Sequence, residues 1–428
     1  MKINSILKKY ENPGMHSNMN VTWKKAKGCY VYDINEKKYL DFTSTIFVTN
    51  IGHGNKKLIE SIKDVLNTPL LHTYNYPHRY RINYIKKLIK FTDNKFDKAF
   101  LLSGGSETTE AALKLMRLYG KRNKKKPIII SLKGNWHGRT MGAEHMAGNE
   151  SGKEWIGYKD KYIYYLDFPH KEKLQKKKLS GKNFFVNSLK KIKHLNYKNE
   201  IAGFILEAFQ GWGAIMYPVD YVKEVSKFCK KNNILLTIDE MQSGFGRTGK
   251  KFCYENYNIN PDIICCGKGM GSGFPLSGLL GKNKVFKNIL PGSMSSTHSA
   301  NPMACAAGIA TIDEIQRLGL IKKSFNNGIY FHKILNKLKD SYPKYIKEIN
   351  GKGLIAAIVF HNNKKIEGTK LSNFISKECL KKGLLVVMTG RESIKLGPPL
   401  IISRKQISTG VKIIKECLEI ADKKNLFQ

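Results

Sequence analysis

Two apolar runs, Ile234–Ile238 and Ile263–Cys266, limit what this chain can build, because each is too short for a globular helix and each leads directly into reactive side chains. Uninterrupted apolar segments of this length read as strands buried on both faces, the pattern of a parallel sheet. The first run delivers Asp239 at its carboxyl end, and the second delivers Lys268 two residues beyond its own. In open α/β sheets, ligands sit outside the carboxyl ends of the strands. The block therefore aims a carboxylate and an amine at one crevice. Taken singly, an Asp after a strand is a cap or turn former, and a Lys is a solvated surface charge. Lys268 fits that reading poorly. It follows a buried run and precedes Gly269, Gly271 and Gly273, which let backbone bend tightly against a ligand.

The whole block, DEMQSGFGRTG followed by GKGMGSGFPLSG, resembles the signature of class III pyridoxal-phosphate (PLP) aminotransferases, the group that holds 4-aminobutyrate, ornithine and acetylornithine aminotransferases. The resemblance spans nearly the full chain, in order: GCYVYDINEKKYLDF, IGHGN, LLSGGSETTEAALKLMR, NWHGRT, ILEAFQGWG, the Asp/Lys block, STHSANPMACAAG and IKLGPPLIIS. It implies an α/β chain of PLP-dependent transferase fold type I. Such a fold has a large, mostly parallel-sheet domain with helices on both faces and a smaller α+β domain drawn from both chain ends. The expected division is residues 1–55 as an N-terminal segment joining the small domain, 56–300 as the large PLP-binding domain, and 301–428 as the C-terminal small domain. The resemblance also implies a homodimer, with a tetramer left open, in which active sites are shared between subunits.

What the resemblance implies for the site can be placed residue by residue. Lys268 is the lysine that bonds the cofactor and shuttles the proton, and Asp239 keeps the pyridine nitrogen protonated so that the ring withdraws electrons. SGGSETTEAALKLMR sets glycines and a serine between a strand and a helix, and helix N–H groups with the positive dipole end bind anions. A plain Ser-capped helix would read the same way. The family assigns the cofactor phosphate to the backbone at the positions of Gly105 and Ser106, and to a threonine of the neighbouring subunit at the position of Thr297. Trp136 stands where an aromatic residue stacks on the pyridine ring. Its change from the usual Phe or Tyr keeps the π face. Gln242 corresponds to the glutamine that contacts the ring hydroxyl, and Glu207 to the glutamate of the EP-Q-G motif that supports the site. His137 is set aside as a base, since Lys268 already moves the proton.

Two departures concern substrate. Many members that act on ω-amino acids carry QGEGG, whose glutamate pairs with an arginine ahead of the carboxyl-terminal PPL. Here Trp212 replaces the glutamate and Lys395 stands at the arginine's position. A lysine offers a point charge where arginine offers a bidentate fork, so carboxylate recognition is expected to differ. Arg79 or Arg391 could take over that role.

Composition fits an enzyme of two domains with a substantial core. The formal charge of +40 would suggest nucleic acid or membrane surface, but only nine of the 74 basic residues are arginine, and they are scattered. No basic clusters interleaved with aromatics appear, so neither specific nucleic-acid binding nor membrane binding is expected. No metal site is expected either. The eight cysteines form no CxxC and read as reduced and structural. With no signal-peptide core and no membrane-length apolar run, the expected location is the cytoplasm. The partners implied are a small amino donor and a keto acid acceptor, exchanged by a ping-pong mechanism. A PLP enzyme of the same fold that does not transaminate (an aminomutase, lyase or epimerase) is the nearest alternative, although the intact GFGRTG is more typical of aminotransferases. Further expected elements are a hairpin from CYVYD and KYLDF, helices near 56–68 and 80–92, and strands at Ala99–Ser103, Pro127–Leu132 and Ala202–Glu207. The Lys-rich stretch Lys171–Asn199 reads as a surface insertion with helical pieces.

Overall fold

The computed structural model describes residues 3–15, 21–363 and 366–423. An N-terminal sheet comes first, from β1 (Trp23–Lys27), β2 (Tyr30–Asp33) and β3 (Lys38–Asp41). The expected hairpin is the antiparallel β2–β3 pair, whose turn is closed by Asp33 Oδ1 accepting from Asn35 and Lys37 N–H. A short strand at Leu384–Leu385 joins β3 in parallel, so the two ends of the chain share one sheet.

Seven strands then form the central sheet: β4 (Lys98–Leu102), β5 (Ile128–Leu132), β6 (Ile163–Leu166), β7 (Ile201–Glu207), β8 (Leu235–Asp239), β9 (Ile263–Cys266) and β10 (Ser277–Gly281). Their order is β4-β10-β9-β8-β7-β5-β6. The run from β9 to β6 is parallel, whereas β10 is antiparallel to both its neighbours. Both faces are covered, and alternate residues serve different cores. Phe204 and Leu206 of β7 enter one cluster, and Ile205 between them enters the other. Register matters most here: Glu207 pairs with Asp239, and Asp239 with Cys265. The carboxyl ends of β7, β8 and β9 therefore finish side by side.

The Lys-rich stretch carries the expected helical pieces, at Lys171–Lys177, Gly181–Ser188 and Tyr197–Glu200, but it is not surface throughout. Its phenylalanines Phe184 and Phe185 are buried, and the Phe185 ring meets Phe204, Tyr221 and Phe228 at centroid distances of 6.3, 5.6 and 5.5 Å. Lysines on one side hid a covering layer on the other.

The last sheet comprises β11 (Ile346–Lys352), β12 (Ile355–Phe360), β14 (Val387–Met388) and β15 (Ser393–Leu396), the strand at Leu384–Leu385 being β13. Its order is β11-β12-β15-β14. One buried arginine bolts three parts of the chain together. Arg247, in the GFGRTG loop after β8, donates to the carbonyls of Leu354 (2.9 Å) and Pro398 (2.5 Å), to Ser44 Oγ (3.3 Å) and to Asn50 Oδ1 (2.6 Å). Burial pulls its guanidinium down to about 9, opposed by Asp41. Neutral oxygens from three segments thus stand in for a counter-ion. Among the described residues no helix is long and apolar enough to cross a membrane, all eight cysteines are free and buried, and no His/Cys/Asp/Glu group could hold a metal.

Candidate active site

A cavity of about 210 Å³ opens at the shared carboxyl edge of β7, β8 and β9, lined by Gly105, Ser106, Trp136, His137, Glu207, Asp239, Gln242 and Lys268 among others. Asp239 ends β8 with its carboxylate fixed from two sides. Met241 N–H donates to Oδ1 at 3.0 Å, and His137 Nδ1 lies 2.9 Å from Oδ2. The opposite ring nitrogen of His137 is buried without a partner among the described residues. His137, set aside as a base on sequence grounds, is thus the orienting partner of Asp239. The contact joins residues 102 positions apart, and no local pattern announces it.

Lys268 follows β9 through Gly267, in a left-handed conformation (φ 47°) that places it at the start of a short turn. A side chain at Gly267 would come within 2.5 Å of Met241 Sδ, and one at Gly269 within 2.3 Å of Asn50 Nδ2, so both glycines permit close packing beneath the lysine. Lys268 Nζ makes no hydrogen bond or ion pair with the described residues. Desolvation lowers its affinity for a proton, against the pull of Asp239 and Glu207. An amine made easier to deprotonate is a better nucleophile and proton carrier.

Helix Gly105–Arg122 begins just after β4 and turns its N-terminus, the end that favours anions, toward the cavity lining. Gly105 and Ser106, whose first-turn N–H groups have no intrahelical partner, line the cavity. Glu107 Oε2 accepts from Gly104 N–H at 2.7 Å, which fixes the loop that leads into the helix. Glu207 Oε2 accepts from the N–H groups of Trp136 (3.0 Å) and Gly211 (3.2 Å), locking the two segments that flank the cavity. Burial lifts this carboxyl to about 7.

Lys395 reaches the site from β15. Its Nζ donates to Gly211 O at 2.8 Å and Gln242 Oε1 at 3.0 Å, and it lies 4.9 Å from the Phe47 ring centroid. Burial and the neighbouring Lys268 bring it from 10.5 to about 7, with Glu207 pulling the other way. Between those values the unfolded chain holds a proton that the folded chain lacks. Stability therefore falls as pH drops through the window, and the penalty is complete below about 7. Urea midpoints of Lys395→Met and the parent, compared at constant salt, should shift in favour of the variant on going from pH 9 to pH 6. A difference that stays flat would show that Lys395 is not desolvated.

Phe47 belongs to an unusual element. Ser44, Thr45, Ile46 and Phe47 all have left-handed φ angles (46°, 53°, 62° and 68°), although none is glycine. Such residues cost roughly 1–2 kcal/mol each. Asp41 Oδ1 holds the turn by accepting from Thr43 and Ser44 N–H, and Ser44 Oγ donates to Gly397 O. Strain of this kind gathers at functional sites. Here it places the buried Phe47 ring against Lys395. Sequence reasoning missed this turn.

The remaining residues fall into place unevenly. Trp136 lines the cavity and Gln242 bonds Lys395, but Thr297 lies on an exposed loop away from the cavity of its own chain. Trp212 follows Gly211, which accepts from Lys395, and its indole N–H donates to Gln210 Oε1 at 2.9 Å. Arg79 is engaged by Asp64 (3.2 Å) and Tyr80 (2.6 Å).

Comparison with known proteins agrees with this geometry. The aminotransferase class-III family model matches residues 12–418. The chain belongs to the class-III aminotransferases. It is 34% identical over 402 residues to the acetylornithine aminotransferase of Archaeoglobus fulgidus, covering 93% of this chain and 96% of that protein. With the ornithine aminotransferase of Saccharomyces cerevisiae it shares 31% identity over 424 residues, 96% of each. Among solved structures, a transaminase from the marine bacterium Virgibacillus superposes with a TM-score of 0.90 at 25% identity, covering 99% of this chain and all of the other. The enzyme is a PLP-dependent aminotransferase that passes an amino group from a donor to a keto acid. Its own residues fit that cofactor: an unpartnered lysine amine, a buried carboxylate fixed by two donors, and a helix N-terminus all meet in one cavity.

Proposed function

We propose that this aminotransferase acts on a donor with a terminal amine, of the kind named for its acetylornithine and ornithine relatives, and uses glutamate and 2-oxoglutarate poorly. The convergence of Asp239, Lys268 and the Gly105–Ser106 helix end on one cavity supports the amino-transfer chemistry, and the names of the relatives support a terminal amine as the group transferred. When bound, PLP supplies an electron-withdrawing ring for the carbon that loses its proton. The chain does the rest. Gly105 and Ser106 would hold the phosphate, Trp136 would offer a stacking face, Gln242 would meet the ring hydroxyl, and Asp239, aligned by His137, would pair with the ring nitrogen. Glu207 clamps Trp136 and Gly211, and Lys268 Nζ takes and returns the proton.

The second part rests on Lys395 and Trp212. Lys395 spends its donors on Gly211 O and Gln242 Oε1, so it presents no fork to the α-carboxylate of glutamate. Trp212 narrows the approach beside it, tied to β15 by Ser393 Oγ donating to its carbonyl at 3.4 Å. Stopped-flow glutamate half-reactions should be slow in the parent. Trp212→Glu with Lys395→Arg should speed them by more than the two single changes combined, because the residues share one site. Strictly additive effects, or fast glutamate turnover that survives Lys395→Ala, would refute the assignment.

We further infer a dimer with Thr297 of each subunit completing its neighbour's phosphate site. Thr297 is exposed, its carbonyl bonds His72, and Leu70, Leu71, Tyr76 and Leu290 expose apolar surface. Sedimentation equilibrium should give twice the chain mass, and a monomer with full activity would exclude the shared site.

A further inference from the structure

We propose that the chain carries a second ligand site, away from the cofactor cavity, that binds a run of linked phosphates such as a nucleotide's triphosphate or inorganic tripolyphosphate. The proposal does not depend on the substrate assigned above. A cavity of about 490 Å³ is lined by five lysines: Lys223, Lys227 and Lys230 from helix Val219–Lys231, and Lys282 and Lys284 from the segment after β10. Leu236 of β8 and Asp262, the residue before β9, also border it. It therefore opens at the amino edge of the two strands whose other ends deliver Asp239 and Lys268. At about 3.3 Å per residue, the step along β8 from Leu235 to Asp239 spans ~13 Å, so the two cavities are separate.

Lys223, Lys227 and Lys230 follow one another at helical spacing and share one face. Alone they would be an ordinary solvated face. What stands around them changes that. Asp262 is the single acid in the lining, and both its oxygens are engaged: Oδ1 with Lys284 Nζ at 2.8 Å, and Oδ2 accepting from Leu236 N–H at 3.0 Å. The amines of the other four lysines make no hydrogen bond or ion pair with the described residues. Like charges gathered at one cavity repel, and an anion of several charges relieves all of them at once. Asn233, Asn258 and Asn260 add carboxamides to the lining, and Asn233 Oδ1 already accepts from the Tyr119 hydroxyl at 2.5 Å, which leaves its amide NH₂ to donate. Lysine meets phosphate as a point charge and needs no planar partner. A single phosphate would reach only part of this ring, whereas linked phosphates span it. The cluster is a product of the fold, because its lysines come from two distant segments of the chain.

The test is titration calorimetry on holoenzyme with orthophosphate, tripolyphosphate and ATP, at constant ionic strength and without divalent cations. Tripolyphosphate should bind at least about tenfold more tightly than orthophosphate, and less tightly as salt is raised. Lys227→Glu with Lys282→Glu, one change in each segment, should weaken tripolyphosphate by about tenfold or more while cofactor absorbance and turnover stay at the parent's level. Lys333→Glu with Lys405→Glu makes the same change in net charge at exposed positions outside the cavity, and should weaken binding far less. ATP binding more tightly than tripolyphosphate, through the same lysines, would assign the site to a nucleotide. Equal or weaker binding of ATP would assign it to the phosphate chain alone. Tripolyphosphate no tighter than orthophosphate, or equal losses in the two double variants, would overturn the proposal. So would release of the cofactor on titration, which would put the anion at Gly105 and Ser106 instead. A duplex oligonucleotide that binds more tightly than tripolyphosphate and depends on Lys227 and Lys282 would also overturn it, in favour of a nucleic-acid surface.

Discussion

Replacing Lys268 with alanine should end turnover while leaving a folded protein that still takes up PLP. The lysine is held in a strained left-handed conformation just past β9, with no polar partner of its own and with burial working against its proton. Nothing in the packing requires its amine. Its loss removes both covalent attachment and the positioned proton carrier. General acid–base catalysis alone contributes up to ~10⁴-fold, which corresponds to ~5.4 kcal/mol. The expected fall in kcat is therefore at least about 10⁴-fold, with a thermal midpoint close to the parent's. Borohydride reduction of the parent followed by peptide mapping should place the cofactor mass on Lys268. A borohydride-stable adduct in Lys268→Ala, or mapping to Lys395, would transfer the role to another amine. Lys395 is the informative competitor, because it too is desolvated and borders the cavity.

That two lysines compete was only half legible in the sequence. Lys268 and Asp239 could be read because each closes a short apolar run, and burial on both sheet faces leaves such runs little freedom except where they end. Lys395 carries no comparable signature. Its surroundings (Gly211, Gln242 and Phe47) come from three distant segments, and only its place ahead of Gly397–Pro398–Pro399 marked it. The His137–Asp239 contact and the buried role of Arg247 depend on tertiary approach over long separations, which periodicity does not encode. The left-handed turn at Ser44–Phe47 runs against local preference, since β-branched and aromatic residues avoid that region. Asp41 and the β15 segment impose it from outside. In Lys171–Asn199 the helical pieces were legible and the inward face was not, for the opposite reason. Its lysine content is real, but two adjacent phenylalanines decide which side faces inward.

Asp239→Asn should retain the cofactor yet lose at least about 100-fold in turnover, ~2.7 kcal/mol of transition-state stabilisation. Asparagine keeps the shape and can still accept from Met241 N–H, so the strand end and the cavity wall should stay in place. What it removes is the negative charge assigned to the ring nitrogen. Retention should follow because the phosphate end at Gly105 and Ser106, the Trp136 face and Lys268 are untouched. His137 sharpens the test. Its Nδ1 faces Asp239 Oδ2, so His137→Phe should leave the charge but loosen the carboxylate, giving a smaller loss than Asp239→Asn. If the charge is what matters, Asp239→Glu should lose less than Asp239→Asn despite its extra methylene. If geometry dominates, the order reverses. Near-normal turnover in Asp239→Asn, with cofactor content equal to the parent's, would remove the electron-withdrawing role from this residue altogether.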